Sequence, residues 1–314
     1  MSHFLWLLNR SCIKDWNVDP KLPRRFHWRP LRRSTLAPSP HIDSIEFRSL
    51  NTSDLPMQIG NCSRYNISYL LLYLAVLHSI AMAQLAPLVV PALKKHTATV
   101  IWAHGLGDTG HGWLSMAENY RRRGKFEDVA FIFPNAPNIP VTVNFGMQMP
   151  GWYDIIAFND LAQAQDQPGI LKSRDYFHSL IKAEIDKGIP SSRIILGGFS
   201  QGGSISIFAG LTSPYPLAGI FGLSSYLLLA DALPKLITPA LKSANSSTPI
   251  FMGHGDSDPL VKLEWGQRTA EVLKGMGWKV DMRVYKGLVH SADPKEMDDL
   301  EGWLSERLGA SSEQ

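Results

Sequence analysis

Short, nearly continuous apolar runs recur along the chain from residue 97 onward, each closed by a residue that interrupts it. Residues 97–103 stop at His104-Gly105, residues 129–133 stop at Pro134, and Arg193-Ile194-Ile195-Leu196 runs into Gly197-Gly198. Residues 217–223, 249–252 and 280–285 continue the series. Such short, near-continuous apolar runs are what strands buried on both faces look like. Between them lie segments with helical spacing. Residues 170–187 set Ile170, Phe177, Leu180, Ile181 and Ile185 largely on one face and end at Gly188 and Pro190. Residues 204–211, 265–276 and 294–308 are the other predicted helices. This alternation predicts an α/β fold with a mostly parallel central sheet and helices on both faces. Reactive groups in such sheets gather beyond the carboxyl ends of the strands.

The first eighty residues break the pattern. Residues 1–56 hold no sustained period and carry Pro-Arg clusters at 23–25 and 29–33, which reads as a basic leader without a core. A transit peptide is the sharper alternative, although the stretch contains acids and lacks a clear amphipathic helix. Residues 69–77 are continuously apolar, about half the length needed to span a bilayer. Ala81-Met82-Ala83 has the small-x-small form of a signal cleavage site, but a signal peptide requires a start at Met57. The expectation is that Met82 opens the functional chain. Residues 1–81 are then a gene-model or isoform extension, and 82–314 form one catalytic domain.

Composition sharpens this division. Residues 1–81 carry ten Lys and Arg against five Asp and Glu, a net of +5, and residues 82–314 carry 21 against 23, a net of −2. The overall +3 therefore averages two unlike pieces, and neither charge points to a dedicated nucleic-acid binder. With 45% hydrophobic residues the chain has material for a core. Its two cysteines, Cys12 and Cys62, both lie in the leader, which excludes a disulfide scaffold or a cysteine-based zinc module.

Gly198-Phe199-Ser200-Gln201-Gly202 matches G-x-S-x-G, with a predicted strand before it and a predicted helix after it. That setting is the nucleophile elbow, in which glycines permit a tight, strained turn that presents the serine above the sheet. The bland alternative is a helix N-cap serine after a glycine turn. A serine hydroxyl needs a base, and in this chain order the acid comes next and the histidine last. His254 and His290 follow Ser200, and His254 precedes the acids of its own loop, so His290 is the candidate base. His254-Gly255-Asp256-Ser257-Asp258 offers two aspartates; Asp258 is the candidate acid and Asp256 the runner-up. Oxyanion stabilisation needs backbone N–H donors, assigned to Gln201 after the nucleophile and to Leu106 in the glycine-rich loop after the first strand. Phe145, Met147, Met149, Trp152, Ile155 and Ile156 form a loop-like apolar stretch able to wall a groove for an acyl chain. The chemistry calls for no metal and no cofactor.

Five segments resemble the acyl-protein thioesterase/carboxylesterase group of α/β hydrolases, in its fungal type: residues 104–113, 149–154, 193–203, 254–261 and 287–291. The resemblance covers about residues 86–308 and not the leader. It implies an α/β-hydrolase fold without a large cap domain. It also implies hydrolysis of thioesters joining long acyl chains such as palmitoyl to protein cysteines; a carboxylesterase or lysophospholipase acting on small esters or lipids is the alternative. Ser200, Asp258 and His290 carry over as the triad, and Leu106 and Gln201 as oxyanion donors. Met149, Trp152 and Tyr226 carry over as candidate substrate-binding residues. Tyr226 stands where some members have tryptophan, which bears on acyl-chain preference. The implied partners are S-acylated proteins such as G-protein alpha subunits and Ras-like GTPases, with transient membrane-surface contact, a weak homodimer and no nucleic acid. The implied location is the cytoplasm and also the nucleus, with secretory or mitochondrial targeting by the leader as the minor reading.

Overall fold

A computed structural model describes residues 85–157 and 165–309. The leader, the 81/82 division and the apolar run at 69–77 lie outside the described residues. Nine strands occur among the described residues: β1 (Leu88–Val90), β2 (Ala98–Ala103), β3 (Val129–Phe133), β4 (Asn138–Val141), β5 (Met147–Pro150), β6 (Ile194–Phe199), β7 (Gly219–Leu223), β8 (Ile250–Gly255) and β9 (Val280–Tyr285). The helices are α1 (His111–Arg122), α2 (Gln167–Asp186), α3 (Gln201–Leu211), α4 (Leu233–Leu236), α5 (Pro239–Asn245), α6 (Leu263–Gly275) and α7 (Pro294–Leu308).

Seven strands make one sheet in the order β1-β3-β2-β6-β7-β8-β9. Only β1 runs antiparallel, pairing Leu88 with Phe133 and Val90 with Phe131. Every other neighbour pair is parallel. Because successive strand residues face opposite sides, the apolar runs divide between two cores. Ile101, Leu196, Ile220 and Met252 pack on one side with Phe177 and Ile181 of α2, Ile205 and Phe208 of α3, and Leu273 of α6. Trp102, Ile195, Phe221 and Phe251 pack on the other with Ala117 and Tyr120 of α1 and Leu300, Trp303 and Leu304 of α7. The predicted α/β architecture with helices on both faces is therefore what the chain adopts. All eleven residues of α3 are buried, as expected of a helix that is apolar all round. Among the described residues no helix is long and apolar enough to cross a membrane.

Several elements depart from the pattern read along the chain, among them β1, α4 and α5, which the apolar runs do not mark. Part of the apolar stretch at 145–156, read as a loop, is β5, which pairs with β4 in an antiparallel hairpin in the register Asn138↔Pro150 and Val141↔Met147. A proline in each strand fits a ribbon outside the main sheet, where a missing N–H is tolerated. Helix α1 was also not predicted; only Ala117 and Tyr120 of its twelve residues are buried, so its apolar stripe is faint.

Candidate active site

Ser200 links β6 to α3. Its backbone stands at φ 54° and ψ −121°, a region that side-chain-bearing residues avoid and that persists only where surrounding structure holds it. Here the Ser200 N–H donates to the Leu223 carbonyl at 2.8 Å, and the Ser204 N–H donates to the Ser200 carbonyl at 2.9 Å. Gly198 and Gly202 flank the turn because a Cβ at either would overlap the Ala103 carbonyl oxygen, and at Gly202 the His104 carbonyl oxygen as well. The turn thus packs directly on the end of β2.

The Ser200 hydroxyl donates to His290 Nε2 at 2.9 Å, and His290 Nδ1–H donates to Asp258 Oδ2 at 2.7 Å. A carboxylate only accepts, so Nδ1 bears the hydrogen and Nε2 offers its lone pair to the serine. Asp258 lies in the loop after β8, and its Oδ1 accepts the N–H groups of Leu260 and Val261, each at 2.9 Å. Burial pushes its carboxyl up, but the His290 hydrogen bond, the two backbone N–H groups and electrostatic attraction to the His290 ring together hold it below its usual value. Asp256 does not reach His290. It is exposed, and its Oδ1 accepts the Gly287 N–H at 2.6 Å, tying the histidine loop to the acid loop.

The Gln201 N–H is the first of α3 and has no intrahelical acceptor, since helix starts leave their first donors free, with partial positive charge. Leu106 lies in the loop after β2. Its neighbours there are engaged, the Gly107 N–H by the Pro150 carbonyl at 2.8 Å and the Asp108 N–H by the Gly105 carbonyl at 3.3 Å. Fully buried His104 braces this loop. Its Nδ1–H donates to the Gly105 carbonyl at 2.7 Å and its Nε2 accepts the Ala136 N–H at 3.0 Å. Burial pushes its pKa down, so the ring stays neutral.

A cavity of about 620 Å³ opens over Ser200 and His290, with Leu106, Trp113, Ile155, Phe199, Leu260 and Val261 as its apolar wall. Concave, mostly apolar sites of this size suit a small organic group.

A model of the family described as phospholipase/carboxylesterase matches residues 85–308. The chain belongs to that family. Acyl-protein thioesterase 1 of Emericella nidulans is 56% identical over 232 residues, 72% of this chain and 96% of the relative. Acyl-protein thioesterase 1 of Neurospora crassa is 52% identical over 232 residues, 73% of this chain and 94% of the relative. The crystal structure of acyl-protein thioesterase 2 from Zea mays aligns with a TM-score of 0.64 at 30% identity, covering 71% of this chain and 99% of that one. The family's α/β-hydrolase fold is the one described above.

The three residues expected to carry substrate contacts lie off the cavity wall. Trp152 is buried, donates its Nε1–H to the His104 carbonyl at 2.8 Å and packs on His104 and Phe177. Tyr226 is also buried, with its hydroxyl 3.4 Å from that of Tyr153 and its ring edge-on to Trp265. Met149 sits behind Asn144, whose Nδ2 donates to its sulfur at 3.3 Å; Asn144 itself lines the cavity. Of the apolar stretch at 145–156, Ile155 reaches the wall.

Two contributors were not singled out from the sequence. The Gln201 side chain clamps the Trp152 segment to the elbow, its Oε1 accepting the Trp152 N–H at 2.9 Å and its Nε2 donating to the Tyr153 carbonyl at 2.7 Å. Trp113 and Phe199 pack with tilted rings, centroids 5.7 Å apart, and Phe199 also meets the His290 ring at 4.9 Å. No local signal in the sequence marks a side-chain clamp of that kind, because its partners lie 48 and 49 residues away.

Proposed function

We propose that the protein hydrolyses the thioester between a long-chain fatty acyl group and a protein cysteine, through a covalent acyl-serine. The observation that carries this is the hydrogen-bonded line Ser200–His290–Asp258 at a strained elbow, opening into an apolar-walled cavity. Relatives named acyl-protein thioesterase 1, which the chain matches over nearly their whole length, support the choice of a thioester.

In this mechanism His290 Nε2 takes the Ser200 proton as Oγ attacks the thioester carbonyl. Asp258 keeps the hydrogen on Nδ1 and stabilises the imidazolium that forms. The N–H groups of Leu106 and Gln201 receive the developing oxyanion, each worth about 3 kcal/mol in sites of this type. The C–S bond then breaks, the departing cysteine sulfur takes the proton from His290, and the acyl group stays on Ser200. Water enters, His290 removes its proton, and collapse of the second tetrahedral adduct returns the fatty acid and free Ser200.

The hairpin tip supports work at a membrane surface, where S-acylated proteins reside. Phe145 is fully exposed at a positive φ of 56°, and Met147 beside it is 63% exposed. Such apolar side chains at a protruding turn favour an interface. Phe145→Asp should lower binding to lipid vesicles while leaving turnover of a soluble ester intact. Acylated G-protein alpha subunits and Ras-like GTPases are the substrate proteins to assay first.

Ser200→Ala should abolish hydrolysis of both a palmitoyl-cysteine peptide and a p-nitrophenyl ester; retained activity overturns the assignment. The family description favours one second reading, a carboxylesterase or lysophospholipase. A higher kcat/KM on acyl-glycerol or small esters than on acyl-cysteine peptides would select it.

A further inference from the structure

A second histidine stands at the root of the acid loop. His254 is the fifth residue of β8 and is wholly buried. Its Nε2 lies 2.8 Å from the Val261 carbonyl, and a carbonyl only accepts, so Nε2 carries the hydrogen. Nδ1 has no hydrogen-bond partner among the described residues and faces Gly266 of α6, where any side chain would collide with it. The terminal methyl of Met282 in β9 closes on the same spot. The charged or titratable groups around the ring are Asp258, His290 and Glu264 of α6. Burial outweighs them and pushes the pKa down, so the ring is neutral.

His254 does not bond Asp258 directly. Its Nε2 is 3.8 Å from Asp258 Oδ2, beyond a hydrogen bond. The two meet through Val261, whose carbonyl is held by His254 and whose N–H is held by Asp258 Oδ1. The carboxylate's other oxygen holds His290. The four residues from Asp258 to Val261 are thereby closed into a turn that is anchored to β8.

We propose that His254 is a positioning residue for the hydrolysis. Its neutral Nε2–H pins the Val261 carbonyl, fixes the 258–261 turn, and so sets the angle at which Asp258 meets His290. The inference rests on the reading of Ser200, His290 and Asp258 as the reacting groups. A histidine that merely filled space would be replaceable by an apolar ring of similar size; a positioning histidine would not, because small misplacements of catalytic groups lower rate steeply.

The test compares wild type, His254→Phe, His254→Gln and Ser200→Ala on a p-nitrophenyl ester, with thermal midpoints and the far-downfield proton resonance of the His290–Asp258 hydrogen bond. His254→Phe keeps the bulk and loses the donor. It should lower kcat by about ten- to a hundredfold with KM unchanged, and broaden or abolish the downfield resonance. His254→Gln, whose amide can reach the Val261 carbonyl, should restore most of the rate and the resonance. Should His254→Phe fail to fold, His254→Asn replaces it, since its shorter amide sits at the Nδ1 position and cannot make the Val261 bond. Wild-type kcat in His254→Phe, or equal losses in the Gln and Asn variants, overturns the proposal while Ser200→Ala stays inactive. Activity in Ser200→Ala would instead overturn the underlying reading.

Discussion

Glu296 offers a quantitative test of how the sheet's carboxyl end is built. It is the third residue of α7, whose N-cap Asp293 accepts the Glu296 N–H at 2.8 Å. Asp293-x-x-Glu296 has capping-box spacing, in which the glutamate normally reaches back to the cap. Here its side chain turns inward, is wholly buried, and neither carboxyl oxygen has a partner among the described residues. It fills the space beside Gly253 of β8, where any side chain would collide with it. Burial above all, with the Asp293 charge adding to it, pushes its pKa up from 4.5 to about 8. The folded protein therefore holds a proton that the unfolded chain releases above pH 4.5. Stability falls as pH rises from 4.5 to about 8 and the loss is complete above that. At about 1.4 kcal/mol per pKa unit, the full loss is about 5 kcal/mol, with about 3 kcal/mol of it between pH 5.5 and pH 8.5. Glu296→Gln keeps the shape and removes the titration. Its buried amide costs about 1–3 kcal/mol for unmade hydrogen bonds, but equally at both pH values. Urea unfolding of both proteins at pH 5.5 and 8.5 isolates the effect. The stability difference between wild type and variant should move by about 3 kcal/mol in the variant's favour on going to pH 8.5. Parallel pH dependence of the two proteins would refute a protonated, unpartnered Glu296.

Other variants probe the site more directly. Asp258→Asn should cut kcat by about 10⁴-fold, since an amide no longer holds the imidazole in its working tautomer, whereas Asp256→Asn should lose far less; steady-state kinetics on one ester separates them. Gly202→Ala should destabilise by at least about 2 kcal/mol, because its methyl group meets two backbone carbonyls that cannot move independently, and fluorophosphonate labelling of Ser200 should fall with it. Tyr226→Phe removes one hydroxyl of the buried Tyr153 pair and should cost about 1 kcal/mol in thermal unfolding, with kcat/KM on short and long acyl esters unchanged, because the ring lies off the cavity wall.

The fold was legible where packing is written locally. The six runs became β2, β3, β6, β7, β8 and β9 to within a few residues; five of them are buried on both faces and so read as near-continuous apolar stretches, whereas β9 is an edge strand, with Asp281 and Arg283 between its apolar residues and only Tyr285 buried. Elements that bury little left little trace. β1 has three residues with one buried, and the β4–β5 hairpin lies outside the main sheet, half exposed and interrupted by Pro140 and Pro150. Helix α1 opens with His111-Gly112 and closes on Arg121-Arg122, so charge and glycine mask its shallow apolar face.

The site divides along the same line. Ser200, Asp258 and His290 announce themselves because each sits just past the carboxyl end of a strand, where chain order alone constrains the choice. Trp152 and Tyr226 entered as substrate-binding candidates through an apolar stretch and a family resemblance; their burial rests on Phe177, Trp265 and Tyr153, contacts that span 25 to 73 residues and that no window of sequence contains. The supports of the triad are hidden for the same reason but lie closer. His254 looks like a failed candidate for the base because it precedes the acid, yet that position lets it brace the acid loop from inside the sheet. A residue at the end of a strand can face the substrate or the core, and its strand-end position does not say which. The neighbour that occupies the opposite side does: Gly266 leaves room for the His254 ring beneath the loop, so this histidine points inward while His290 points at Ser200.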